Sequence, residues 1–169
     1  MTQPLVLQLR FTRSEFKRGL EGLSGADACR RIEPMNCISW NIGHLAWQEQ
    51  RYWLQRLQDK TLLPEIAASF AYGCSPSTPP LDEALQAWYT IIAAVDPFLD
   101  TLSADDLLRE RTFTSGGGSL TTTVGTMMLR MIYHYWYHNG ENQAIRQILR
   151  HEGLQDFVGD ISTAAPYRG

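Results

Sequence analysis

The sequence predicts an all-α fold, a four-helix bundle with a long crossover between its second and third helices and a small β-hairpin before the fourth. Three observations carry that reading. Long segments repeat apolar residues at i, i+3, i+4 and i+7 with little strand-like alternation. Capping signatures and prolines punctuate those segments. The 169 residues match one domain, 1–169, large enough to bury roughly 70% of its extended-chain surface without disulfide or metal staples.

The first helix is read over Leu5 to Leu23, with Leu9, Phe16 and Leu20 inward and Arg10, Arg13, Glu15, Lys17 and Arg18 largely on other faces. Ser24-Gly25-Ala26-Asp27 resembles a capping box opening a short extra turn. After Pro34, Asn36 is placed to cap a second helix from about Cys37 to Leu57, rich in Trp40, Trp47, Tyr52 and Trp53. Periodicity is lost from Gln58 to Pro80, where Pro64, Gly73, Pro76, Pro79 and Pro80 interrupt it. So long a connection in a compact domain calls for a use, and a crossover to the far end of the bundle is one. The third helix is the most regular, with Leu81, Ala84, Leu85, Trp88, Ile91, Ile92, Val95 and Leu99 on one stripe. Ser103-Ala104-Asp105-Asp106 repeats the capping signature. Arg111 to Thr123, turning through Gly116-Gly117-Gly118, reads as a hairpin. As a phosphate cradle that run fails, since no Lys-Ser/Thr pair follows it. The fourth helix runs from about Thr122 to Arg150 and stops at Gly153.

Composition narrows the function classes. A net charge of −3, with thirteen Arg and two Lys dispersed along the chain, argues against a nucleic-acid surface. Three cysteines, Cys29, Cys37 and Cys74, form no even framework and no CxxC pair, which points to a reducing cytoplasm. No signal-peptide core and no apolar run of about 20 residues is present, so neither secretion nor membrane insertion is expected.

The histidines carry the chemistry. His134 and His138 are four apart on the fourth helix, hence on nearly one face, within the inward stripe of Val124, Met128, Met131, Tyr135, Asn142, Ile145 and Leu149. His44, ninety residues before His134, lies between Trp40 and Trp47 on another inward face. Three imidazoles can hold a divalent ion and leave positions open. Hydrogen-bonded core histidines are the alternative that spacing leaves standing. His151, at the end of the fourth helix, suits a structural or exposed role.

Two segments resemble the DinB/YfiT-like superfamily of metalloenzymes. Asn36-Cys-Ile-Ser-Trp40-Asn-Ile-Gly43-His44-Leu-Ala-Trp-Gln-Glu49 is similar to its second-helix motif, and His134-Tyr-Trp-Tyr-His138-Asn-Gly140-Glu141-Asn to its fourth-helix motif. The resemblance implies an up-down-down-up bundle with His44, His134 and His138 on a metal near one end of the core. Nickel or zinc is the expected ion, with iron or manganese as alternatives, and water completes the shell. It further implies a homodimer and a small-molecule substrate or a low-molecular-weight thiol, as in thiol-dependent S-transferases of the family. Glu141 stands where the more familiar pattern has Gln, which weakens transfer of the thiol chemistry.

An ion held by three neutral ligands keeps its charge and acidifies a bound water or thiol. A metal-dependent transferase and a hydrolase are therefore both compatible, as is a non-catalytic metal-binding or stress-related protein with Glu141 as fourth ligand. Glu141 is the first candidate for a catalytic base, with a ligand-orienting role or a solvent-facing position as its alternatives. Glu49 ranks lower and reads equally as a surface carboxylate near Arg51 or Arg56. Gln48 and Asn142, each four after a histidine, read as buried amides bonded to backbone or solvent, with a place beside the ligands as the alternative. Trp40, Trp47, Tyr133, Tyr135, Trp136 and Tyr137 wall a pocket or form core and interface. The three cysteines are read as small buried residues.

Overall fold

The computed structural model of the chain describes residues 2–115 and 117–167; Gly116 of the anticipated turn and the extreme ends of the anticipated domain lie outside the described residues. The described chain is mostly helical, with one two-stranded hairpin. Its long helices are α1 (Pro4–Arg18), α2 (Ile38–Glu49), α3 (Leu81–Leu99) and α4 (Val124–Ile148). Among the described residues, no helix is long and apolar enough to cross a membrane.

Local chemistry accounts for most boundaries. α1 starts with Pro4 at its first position, where a missing N–H costs nothing, and the Gln3 side chain accepts from Leu5 N. It stops at Arg18, short of the anticipated Leu23. The chain turns there and reaches Gly22 at φ +70°, a left-handed conformation that favours glycine. The Ser24 turn forms as read, a helix over Gly25–Ala28 capped by Ser24. At α2 the expectation about Asn36 fails: the N-cap residue is Cys37, without a side-chain capping bond. Burial of all twelve residues of this helix supplies what the cap does not. α2 continues through a π-helical turn, Gln50–Gln55, into Arg56–Gln58. The Gln50 side chain ties the following loop down, accepting from Leu62 N and Leu63 N and donating to the Leu63 carbonyl.

α3 matches the anticipated stripe from end to end, burying Ala84, Trp88, Ile91, Val95 and Leu99. Ser103 and Asp106 close a reciprocal capping box on Ala104–Leu108. The hairpin pairs β1 (Glu110–Ser115) with β2 (Gly118–Thr123) antiparallel, Phe113 opposite Leu120. α4 opens at once, with the Thr123 hydroxyl accepting from Thr126 N.

α2 packs along α3, α1 packs along α4, and α2 also meets α4. Phe16, Trp53, Trp88, Tyr135, Met128 and Met131 fill the interior. Here the reading of α1 as a helix with charges outward needs correction at two positions. Arg13 and Glu15 are both buried. Arg13 donates in a fork to both carboxylate oxygens of Glu49, at 2.7 Å each, and to Asp96 Oδ1 at 2.8 Å. The Tyr135 hydroxyl donates to Glu49 at 2.9 Å and accepts from Trp88 Nε1 at 2.7 Å. One polar hub therefore pins α1, α2, α3 and α4 together. Its burial raises the Tyr135 hydroxyl well above its ordinary pKa, with the Glu49 charge acting in the same direction. Glu15 is held by Arg18 and by Gly159 N, which ties the C-terminal segment onto α1.

Candidate metal centre

α2 and α4 bring His44, His134 and His138 together, one ring nitrogen from each lying within 4.8 Å of the others. His134 and His138 are one turn apart on α4, and their Nε2 atoms stand 3.0 Å from one another. His44 reaches them from α2, its ring centroid 5.0 Å from that of His134 and 5.3 Å from that of His138. Trp40 lies nearly flat on His44, at 4.8 Å and 12°. The ninety residues between His44 and His134 thus collapse to contact distance.

The second nitrogens are held in place. His44 Nδ1–H donates to the Phe70 carbonyl at 2.7 Å, and His138 Nδ1–H donates to Glu141 Oε2 at 2.8 Å. In the neutral rings these bonds put the lone pair on Nε2, which is the arrangement a metal-ligating imidazole needs. Neutrality is built in at two of the rings. Burial pushes His44 down to about 4, with the His138 charge adding to it and the Phe70 bond opposing. Burial likewise pushes His134 down to about 3, with His138, His44 and Arg130 adding to it. Two ligands of one ion at about 2.0–2.1 Å stand about 3 Å apart, as His134 and His138 do. The donor set is three imidazoles, which suits zinc, nickel, copper or iron better than a hard oxygen-seeking ion. The residues present therefore fit a divalent transition metal.

Each support has its own local cause. Phe70 belongs to the helical turn Ile66–Phe70, inside the segment 58–80 that the sequence reads as an aperiodic crossover. Gly43 is what lets it approach, since a Cβ there would fall 2.6 Å from two atoms of the Phe70 ring. Glu141 lies behind His138, on the ring nitrogen away from His134, and the same Oε2 accepts from Asn41 Nδ2 at 2.9 Å. Asn41 also donates to Asn142 Oδ1 at 2.9 Å. An Asn41–Glu141–His138 chain thus orients one ligand candidate from both helices.

The remaining site candidates sort by position. Glu49 is fully buried on Arg13 and Tyr135, so its reading as a surface carboxylate is overturned: the partner is Arg13 of α1 rather than Arg51 or Arg56. Gln48 lines a cleft with His44 and His134, whereas Asn142 sits behind the ligands. Trp47 and Tyr133 wall the cleft, Tyr135 belongs to the hub, and Trp136 packs against Phe11 and Phe157. Tyr137 is exposed beside the His138 ring. Cys37 is buried and Cys29 and Cys74 are half-buried, none among the clustered ligand atoms. His151 is structural, accepting from Arg146 Nε and lying 3.4 Å from Asp27.

Sequence reasoning missed Phe70, whose contribution is a backbone carbonyl and has no side-chain signature. It also missed Asn41, for which a signal existed. Asn41, His44 and Gln48 form a polar i, i+3, i+7 stripe on a largely apolar helix.

Fold and site together define a small helical protein with three histidines gathered beside a cleft of about 840 Å3. The sequence model of the DinB superfamily matches residues 8–141, which include all three histidines and Glu141. The chain belongs to that superfamily. A search of curated proteins finds no match.

Proposed function

We propose that this chain is a metal-dependent enzyme in which His44, His134 and His138 hold a divalent ion, nickel or zinc foremost, with positions left open to the cleft. The observation that carries the reading is the convergence of three ring nitrogens from two helices within 4.8 Å, two of the rings already oriented through their Nδ1 atoms. The same reading takes the four long helices as an up-down-down-up bundle, the chain as one cytoplasmic domain that forms a homodimer, and the ligand as a small molecule.

A bound ion would supply Lewis acidity, lowering the pKa of a water or thiol that reaches it. The chain's own residues do the rest. His44 and His134 face the cleft and His138 stands behind them, so the ligands leave the cleft side free. Glu141 acts as a positioning residue, since its Oε2 is committed to His138 and Asn41 rather than turned toward the cleft. That placement speaks for an open site over one closed by Glu141, and hence for the catalytic reading over a purely structural ion. Transferase and hydrolase chemistry both remain within this reading, because the cleft residues include no side chain that commits to either.

Cobalt(II) titration tests the proposal. The visible spectrum of the cobalt-loaded protein is expected to change when azide or a small thiol is added, as an open position requires. A cobalt spectrum indifferent to both would replace the enzyme with a closed, non-catalytic metal protein.

A further inference from the structure

The cleft beside the histidines is lined by cations and by no carboxylate. Arg51 and Arg130 line it together with His44, Trp47, Tyr133 and His134, and no Asp or Glu is among its lining residues. The Arg51 guanidinium is laid over the Trp47 ring, 5.1 Å from its centroid, which orders it at the cleft wall. Arg56 stands behind, 4.7 Å from the Phe113 centroid and 5.2 Å from that of Tyr52. Burial holds the Arg56 guanidinium below its ordinary pKa, and the charges of Arg51 and Arg130 add to the effect.

Among the described residues, five arginines, Arg10, Arg13, Arg18, Arg31 and Arg109, each face a carboxylate within ion-pair distance. Among the described residues, Arg51, Arg56 and Arg130 take part in no ion pair, although the protein as a whole is acidic at −3. Arg30, Arg111, Arg146 and Arg150 are, like this group, in no ion pair among the described residues, but they do not line the cleft. An uncompensated pair of guanidiniums at the wall of a concave site focuses the field onto an anion. A guanidinium presents a fork of N–H donors that matches the two oxygens of a carboxylate or phosphate. The remaining cleft lining is aromatic, from Tyr52, Tyr72 and Tyr133, with the neutral Gln48 amide beside them. A volume of about 840 Å3 is that of a small-molecule site.

The geometry points to a ligand with an anionic oxyacid group, a carboxylate or a phosphate, gripped by Arg51 and Arg130 while its other end lies against His44 and His134. The inference rests on the three-histidine reading for where the reacting end sits; the anion grip itself needs only the arginines.

The test uses metal-free, 15N-labelled full chain, which separates the anion site from the metal site. Succinate and inorganic phosphate serve as probes for the two oxyacid sources, and succinamide as the uncharged control. Saturable shifts of the Trp47 indole and of the Arg51 and Arg130 amides are expected with succinate or phosphate and not with succinamide. The stronger of the two anions identifies the oxyacid class. In Arg51→Gln/Arg130→Gln the apparent Kd should rise at least tenfold, and in Arg30→Gln/Arg111→Gln, which removes two unpaired arginines outside the cleft, it should stay within about twofold of wild type. Anion binding unchanged by Arg51→Gln/Arg130→Gln, or shifts that succinamide reproduces, would overturn the proposal. Zinc content of that variant and of His134→Ala after loading reads the metal site independently. Arg51→Gln/Arg130→Gln should keep its zinc and His134→Ala should lose it, so failure of either reading is visible without the other.

Discussion

Gly43→Ala is the most informative single substitution, because one added methyl group acts on the fold and the site at once. A Cβ at position 43 would lie 2.6 Å from two atoms of the Phe70 ring and 2.8 Å from a third. Carbon atoms pack at about 3.5–4.0 Å, so the ring must retreat by about 1 Å. Phe70 is buried, and its carbonyl accepts the His44 Nδ1–H bond at 2.7 Å, so a retreat of that size carries the acceptor toward the edge of bonding range. Overpacking of this kind costs about 1–3 kcal/mol, against a gain of about 1 kcal/mol for replacing glycine inside a helix. The net expectation is a loss of about 0–2 kcal/mol in urea denaturation. Loss of a ligand's outer hydrogen bond typically weakens metal affinity about 10–100-fold, and chelator-competition titration with zinc measures it. Gly140→Ala is the control: no atom outside its own helix lies within 4 Å of that Cβ, so it should gain about 0.5–1 kcal/mol and leave zinc binding alone. A Gly43→Ala protein as stable as Gly140→Ala, with wild-type zinc affinity, would refute the coupling of Phe70 to His44.

Three further outcomes follow from the same contacts. Glu49→Ala strands the buried Arg13 with only Asp96 beside it and should cost about 3 kcal/mol or more by urea denaturation, whereas Arg13→Met/Glu49→Leu, which leaves the Tyr135 hydroxyl without its acceptor but no charge stranded, should recover much of that loss. Glu141→Ala should weaken zinc binding about 10–100-fold, and Glu141→Gln should restore much of it, because an amide oxygen can still accept from His138 Nδ1. The Arg18 bond, aided by the Gly159 N–H, holds the Glu15 carboxyl below its ordinary 4.5, so its contribution is complete above that pH and fades as pH falls through the folded-state value. Stability against pH should therefore drop more steeply below 4.5 in wild type than in Glu15→Gln, and parallel curves would contradict the assignment.

The sequence made the helices legible where one face meets one core. α3 has a single apolar stripe, and its limits are those the periodicity gave. α2 is harder to read, since burial all round erases the stripe that sets register, and its start owes nothing to a cap. Arg13 and Glu49 were misjudged for a related reason. Pattern reading assigns charge to solvent, but a forked ion pair completed by Tyr135 satisfies both charges inside. Of the site, the three histidines were visible because His134 and His138 share a helix face and His44 sits in a motif of its own. Their supports were not. Phe70 acts through its backbone, and Asn41 acts through Glu141, a contact that only the pairing of α2 with α4 creates.

The most direct test of the central claim is elemental analysis of tag-free protein beside His44→Ala and His134→Ala. The account predicts about one divalent metal per chain in wild type and loss of it in both variants, since two helices share one site. Metal retained in His44→Ala, or no metal in wild type even after loading with nickel and zinc, would contradict it.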